Sequence, residues 1–213
     1  MEIFWYGLSC FRMVERGSIA IVTDPYDHNV TGYPQLKLKA DVVTVSHDAP
    51  GHAYISAVKG EPYVITGPGE YEIGGVFITG VRTNGRKRSS DEPFNTLYLF
   101  NIDEVSVVHL GDLRRVPSQA EVEALGQVNV ALVPVGDESG WNAAKAAEII
   151  SLLEPGIVIP MHYATPETTL ELQPLNRFLK EMGVDKVTTE PSLKIERSRI
   201  PDETRVVVLE PRK

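Results

Sequence analysis

A single cysteine, Cys10, stands in the 213-residue chain, which excludes an intrachain disulfide and fits a reducing cytoplasm, the expected location. Cys10 lies in an apolar run and reads as a small core hydrophobe rather than a nucleophile. No window approaches the ~20 consecutive apolar residues that a membrane span needs, so no membrane partner is expected. The start, MEIFWYGLSCF, lacks a basic segment and a small-residue cleavage site, and is not read as a secretory signal. Positive charge is also short: 21 Lys and Arg face 29 Asp and Glu, a net charge of −8. That balance argues against broad binding of nucleic acid or anionic membrane. The apolar fraction of 42% and charged fraction of 23% are ordinary for a globular chain long enough to bury a proper core.

What the chain does have is short β-rich runs broken by glycine turns. EIFWY, CFRMVER and SIAIVTD read as strands punctuated by Gly7 and Gly17. Residues 23–40 carry the Asp, Pro and Gly content of a long loop. DVVTVSH follows as a continuous apolar strand of the kind buried on both faces, and AYISAVKG reads as a short helix. YVITG, EYEIGG, VFITGV, FNTLYLFNI and EVSVVHL return to strands. Ser118 with Glu121 three residues on marks a helix start, and NAAKAAEIISLLEPG is a helix stopped by Pro155-Gly156. TTLELQPLNRFLKEMG sets Leu175, Phe178, Leu179 and Met182 at helical spacing. VNVALVPV, GIVIPMHY, VDKVTT, LKIER and TRVVVLE are further strands. With no linker-like stretch, the pattern predicts one domain over residues 1–213, two packed sheets with helices outside.

Three of the five histidines, His47, His109 and His162, stand just past apolar strand-like runs. Ligands gather at the carboxyl ends of strands because those loops converge on one rim. Histidine is the commonest metal ligand, and Asp112 in HLGD adds a carboxylate on a turn past a strand. The alternative is that each histidine caps its own strand. His52, five residues after His47 across Ala49-Pro50-Gly51, is placed to face the same cavity. A catalytic zinc centre usually takes three protein ligands and leaves a position open for water. These residue types suit zinc, iron or manganese alike.

GLSCFRM, IVTDPYD, ADVVTVSHDAPGH, PGEYEIGGVFITGV, VVHLGDL, VALVPVG and VIPMHY follow one another between about residues 2 and 165. In that order they resemble the metallo-β-lactamase superfamily, and within it small bacterial zinc-dependent hydrolases related to ascorbate 6-phosphate lactonase. The resemblance implies an α+β fold, a four-layer αββα sandwich with two mixed β-sheets flanked by helices. It also implies a site along one edge of the sheets, holding two zinc or manganese ions bridged by a hydroxide.

The implied ligands carry over only in part. The family's His-x-His-x-Asp-His falls on His47, Asp48, Ala49, Pro50, Gly51 and His52, so Ala49 replaces the middle histidine and Gly51 the aspartate. Asp112 matches the bridging aspartate and His162 the last histidine ligand. A further family histidine belongs to the loop reading VRTNGRK here, where only Thr83 or Asn84 stands near its place. Relatives often have Gly-His where this chain has Gly7-Leu8. One metal position is left with His47 and Asp112. The other keeps His52, Asp112 and His162, with His47 as a fourth ligand that swings in. One divalent ion is therefore expected, zinc with manganese or iron as alternatives, or none, with Asp112 and His52 as the catalytic pair.

His109 and Asp24 are expected to support the ligands rather than bind metal. For Asp24 in TDPY a turn-starting role competes with that reading. His28 reads as solvated. Arg82, Arg86, Lys87 and Arg88 form a basic run whose plain reading is a solvated loop. The resemblance brings that loop to the cavity rim, where Arg86 and Arg88 are candidates for holding an anionic small-molecule substrate. Self-association stays open. Two functions compete. Surviving His47, His52, Asp112 and His162 favour a hydrolase with a reduced, one-ion centre and slow or redirected chemistry. Ala49, Gly51 and the lost loop histidine favour a catalytically silent member of the fold that binds a ligand or partner.

Overall fold

The computed structural model describes residues 1–83, 94–137 and 141–212. Two sheets organise it. The first orders its strands Leu193–Lys194, Glu2–Gly7, Cys10–Val14, Ala20–Thr23, Val42–Thr44 and Tyr63–Ile65. Pairing is antiparallel up to Ala20–Thr23 and parallel from there to Tyr63–Ile65. The second runs Arg205–Val206, Ile157–Met161, Val130–Pro134, Val105–His109, Thr96–Ile102, Val76–Arg82 and Gly69–Ile73. Its first four strands are parallel and the rest antiparallel. Both sheets are thus mixed, and the expected α+β sandwich is what the chain forms.

Strand alternation decides which side chains fill the space between the sheets. Ile3, Trp5, Phe11, Met13, Ile21 and Val42 of the first sheet pack with Tyr98, Phe100, Val107, Leu132 and Ile159 of the second, and the Tyr98 hydroxyl reaches the Val45 and Ile65 carbonyls of the first. Their neighbours Cys10, Val22 and Val43 turn to the other face of the first sheet, where they meet Tyr26, Tyr33, Leu36 and Leu38. Cys10 is fully buried there, as its apolar surroundings predict. Helices Gln119–Leu125, Ala143–Leu153 and Leu175–Glu181 belong to the second half of the chain. Ser118 closes the first of these with a reciprocal capping box to Glu121.

The layer over the first sheet is thin. Much of it is the 24–38 segment, whose single helical turn, His28–Thr31, is capped by the Asp27 side chain. AYISAVKG, read as a helix, is instead a three-residue 3-10 turn, Ile55–Ala57, running into the strand Val58–Lys59. Val58 is buried and pairs in parallel with Leu38, so tertiary packing overrides a weak local helical tendency. The last long helical run is helical only over Leu175–Glu181, because Pro174 sits at its N-cap.

Parallel pairing places several strand ends on one rim. Asp24 follows Ala20–Thr23, Ser46 and His47 follow Val42–Thr44, and His109 ends Val105–His109. Asp112 lies just beyond, and His162 follows Ile157–Met161.

Candidate metal centre

Asp24 is the hub of this rim. It is fully buried and accepts three hydrogen bonds: from the Ser46 N–H (2.8 Å), the Ser46 O–H (2.5 Å) and His52 Nδ1 (2.8 Å). Burial raises its carboxyl above the usual range, while the nearby His109 and His47 and the Ser46 donors pull the other way. Ser46 has one hydroxyl proton, and it goes to Asp24. The oxygen is then an acceptor toward His47 Nδ1, 3.1 Å away. One carboxylate therefore sets both tautomers: His47 and His52 carry their proton on Nδ1 and leave Nε2 as a free lone pair. That is the form in which an imidazole binds a metal, held by the outer partners metal-ligating histidines usually have.

The third imidazole, His162, places Nδ1 3.3 Å from Ser9 Oγ. Ring centroids lie 4.2 Å apart for His47 and His52 and 5.4 Å for His52 and His162, so the three form a contiguous imidazole wall. Burial pushes all three down to about 4. Neighbouring histidines add to the shift at His47 and His162, and Asp112 opposes it at all three. They are accordingly neutral at pH 7. Asp24 and His162 have backbone φ of 40° and 55°, left-handed conformations uncommon for non-glycine residues. The His162 N–H donates to the Leu8 carbonyl at 3.1 Å, fixing that strand end against the first sheet.

Asp112 enters from the second sheet. Its N–H donates to Asn95 Oδ1 (3.0 Å), and Asn95 Nδ2 donates to the Leu110 carbonyl (3.0 Å). Burial opposes its charge, yet His162, His52 and Arg114 together hold its carboxyl below the usual range. Arg114 donates to Asp112 Oδ2 from Nη2 (2.9 Å) and Nε (3.2 Å), and His47 Nε2 lies 3.8 Å from the same oxygen. Gly111, at φ +61°, lets this turn press on its neighbours. A Cβ there would come within 2.3 Å of Asn95 Oδ1 and 2.6 Å of Ser46 Cβ.

Among the described residues, Asp24, His47 and His52 bring ligand atoms within 4.8 Å of one another. Of the expected ligands, His47 and His52 belong to that group, with Asp24 as its carboxylate. Asp24 accepts hydrogen bonds through both oxygens, and in doing so it also orients His52 directly and His47 through Ser46. Asp112 is turned toward Arg114. His109 contributes no open donor: its Nε2 is bonded to the Ser9 carbonyl (2.8 Å) and its Nδ1 accepts from the Gly111 N–H (3.2 Å). It ties Ser9, the partner of His162, to the second sheet. His28 lies half-exposed beside Asp27. Arg86 and Arg88 fall outside the described residues. Sequence reading missed Ser9, Ser46, Asn95 and Arg114; of these only Ser46 carried a signal, its adjacency to His47.

The donor set suits a divalent ion, since it offers neutral imidazoles with free Nε2 atoms beside one carboxylate. A mixed two-sheet sandwich with histidines and aspartates converging on one rim defines a metallo-hydrolase scaffold. The chain belongs to the β-lactamase superfamily domain family, which it matches over residues 2–162. It is 30% identical to a UPF0173 protein of Pyrococcus furiosus over 191 residues, 78% of this chain and 84% of that one. It is equally similar to a UPF0173 metal-dependent hydrolase of Pyrococcus horikoshii, at 30% over 199 residues, 78% of this chain and 85% of that one. Among solved structures it resembles a Thermotoga maritima protein assigned to the Zn-dependent hydrolases of the metallo-β-lactamase superfamily. The two share 36% identity and a TM-score of 0.79, covering 98% and 97% of the chains. Igni18, a metallo hydrolase of Ignicoccus hospitalis, shares the fold at a TM-score of 0.63 and 22% identity, covering 92% of this chain and 99% of that one. The similarity is not confined to bacteria, as the branch named from the sequence would have it. No helix among the described residues is long and apolar enough to cross a membrane.

Proposed function

We propose that the chain is a hydrolase acting on a small, anionic substrate through one divalent ion. His47, His52 and His162 would hold the ion through Nε2, with Asp112 completing the set. Such an ion supplies Lewis acidity, polarising a carbonyl or phosphoryl oxygen and acidifying water toward neutral pH. The observation that carries this reading is the hydrogen-bond relay from Asp24. Through Ser46 and directly, it points the lone pairs of two neutral imidazoles away from their anchors. Binding through Asp112 would require it to loosen its hold on Arg114. Ala49 and Gly51 leave a second ion too few donors.

One observation favours the competing reading of a catalytically silent member. Arg114 already neutralises Asp112 with two hydrogen bonds, the work a cation would do. Metal analysis of protein purified without chelator separates the two. About one ion per chain, lost in His52→Ala and in His162→Ala, supports the hydrolase. Folded protein that holds no ion and takes up none on titration with zinc, manganese or iron supports the silent member.

A further inference from the structure

A second concavity, of about 510 Å³, opens on the outer side of the first sheet, away from the histidines. Tyr6, Tyr26, the segment 34–38 and Arg212 line it, and no acidic side chain does. The Tyr26 hydroxyl braces its floor through the carbonyls of Tyr6 (3.0 Å) and Pro34 (3.1 Å).

Lys37 and Arg212 are its cations, and Arg12 lies nearby. Arg212 donates its backbone N–H to the Trp5 carbonyl (2.8 Å), and its guanidinium lies 4.4 Å above the Phe4 ring. Arg12, anchored from Nε to the Lys39 carbonyl (3.2 Å), acts with Arg212 on the Tyr6 phenol, opposing the upward push of burial. Among the described residues, Arg12, Lys37 and Arg212 have no carboxylate within ion-pair distance, and the Tyr6 hydroxyl has no hydrogen-bond partner. In a chain of net charge −8, an acid-free hollow holding unpaired cations is the arrangement to explain.

We infer that this hollow binds a metabolite-sized molecule by a phosphate group, with Arg212 and Lys37 as its cationic contacts and the Tyr6 hydroxyl as a further donor. A guanidinium, an ammonium and a phenol suit a dianion with several acceptor oxygens better than they suit a single carboxylate. The volume fits a small ligand. A long polyanion would need a wider basic track and would meet the acidic remainder of the surface.

Titrating inorganic phosphate into isotope-labelled full-length protein, with amide NMR shifts as the readout, tests this. Saturable shifts are expected at Tyr6, Lys37 and Arg212. Binding should weaken by about tenfold or more in Arg212→Ala/Lys37→Ala, two exposed sites whose change leaves the fold intact. It should persist in His162→Ala, which separates this pocket from the proposed metal centre. The absence of saturable shifts, shifts unchanged in the double variant, or shifts centred on His47 and His52 would each overturn the inference. So would adsorption to phosphatidylserine vesicles without saturable binding of free phosphate.

Discussion

Asp24 and His52 are 28 residues apart in sequence and share a 2.8 Å hydrogen bond inside the protein, with Asp24 fully buried. The bond ties the end of the strand Ala20–Thr23 to the loop that follows the neighbouring parallel strand Val42–Thr44. The same carboxylate, through Ser46, also governs His47.

Asp24→Asn therefore tests the relay. The amide retains the volume but cannot accept from all three donors, so His47 and His52 lose their enforced tautomers. Metal affinity should fall by about 10- to 100-fold, as for lost outer partners of metal-binding histidines. Competition against a chromogenic chelator reads this, and an affinity equal to that of the unsubstituted protein would remove Asp24 from the centre.

The buried imidazoles make stability depend on pH. His47, His52 and His162 titrate near 4 when folded and near 6.5 when unfolded, so between those values the unfolded chain binds more protons. Stability of the metal-free protein is fully present above about pH 6.5 and is lost as pH falls through 4. Asp24, raised by burial, works in the opposite sense at the acid end. Urea midpoints at pH 7 and pH 4.5 should differ clearly, and His162→Ala should narrow the gap.

Arg114 competes for Asp112. Replacing it with alanine removes a positive charge and frees the Asp112 oxygen, so metal affinity should rise several-fold. In Ala49→His/Gly51→Asp a second ion should enter only when Arg114 is also removed. Gly51 accepts a side chain, since a Cβ there would meet only Leu8 Cδ1 at 3.5 Å. Ion counts per chain decide this. Two ions with Arg114 still present would show that the guanidinium blocks nothing.

Gly111→Ala should be severely destabilising, by about 2–4 kcal/mol, because its Cβ would drive into Asn95 and Ser46 at a left-handed φ. A thermal melt checks the loss. Gly126→Ala offers a comparison, with a similar φ of +64° and open space around it.

Much of the scaffold could be read without coordinates. The apolar runs around Val22, Val43, Val107, Leu132 and Ile159 marked buried strands, and Ser118 with Glu121 marked a helix start. His47, His52, Asp112 and His162 were legible as ligand types near strand ends. Arg86 and Arg88 lie outside the described residues. The short helix His28–Thr31 and the 3-10 turn Ile55–Ala57 escaped, because single turns depend on caps and contacts more than on periodicity.

The amino-acid order by itself determined which residue types are available at the rim, and that positions 49 and 51 carry alanine and glycine, which offer no side-chain donor. Only the folded chain decided how they are used: Asp24 and Ser46 fix the tautomers, Ser9 meets His162, and Arg114 claims Asp112. Those links span up to 153 positions and rest on hydrogen-bond direction at a distance of about 3 Å. Alternating and helical periodicities report which face of one segment is apolar, and carry no information about which polar atoms of distant segments will meet.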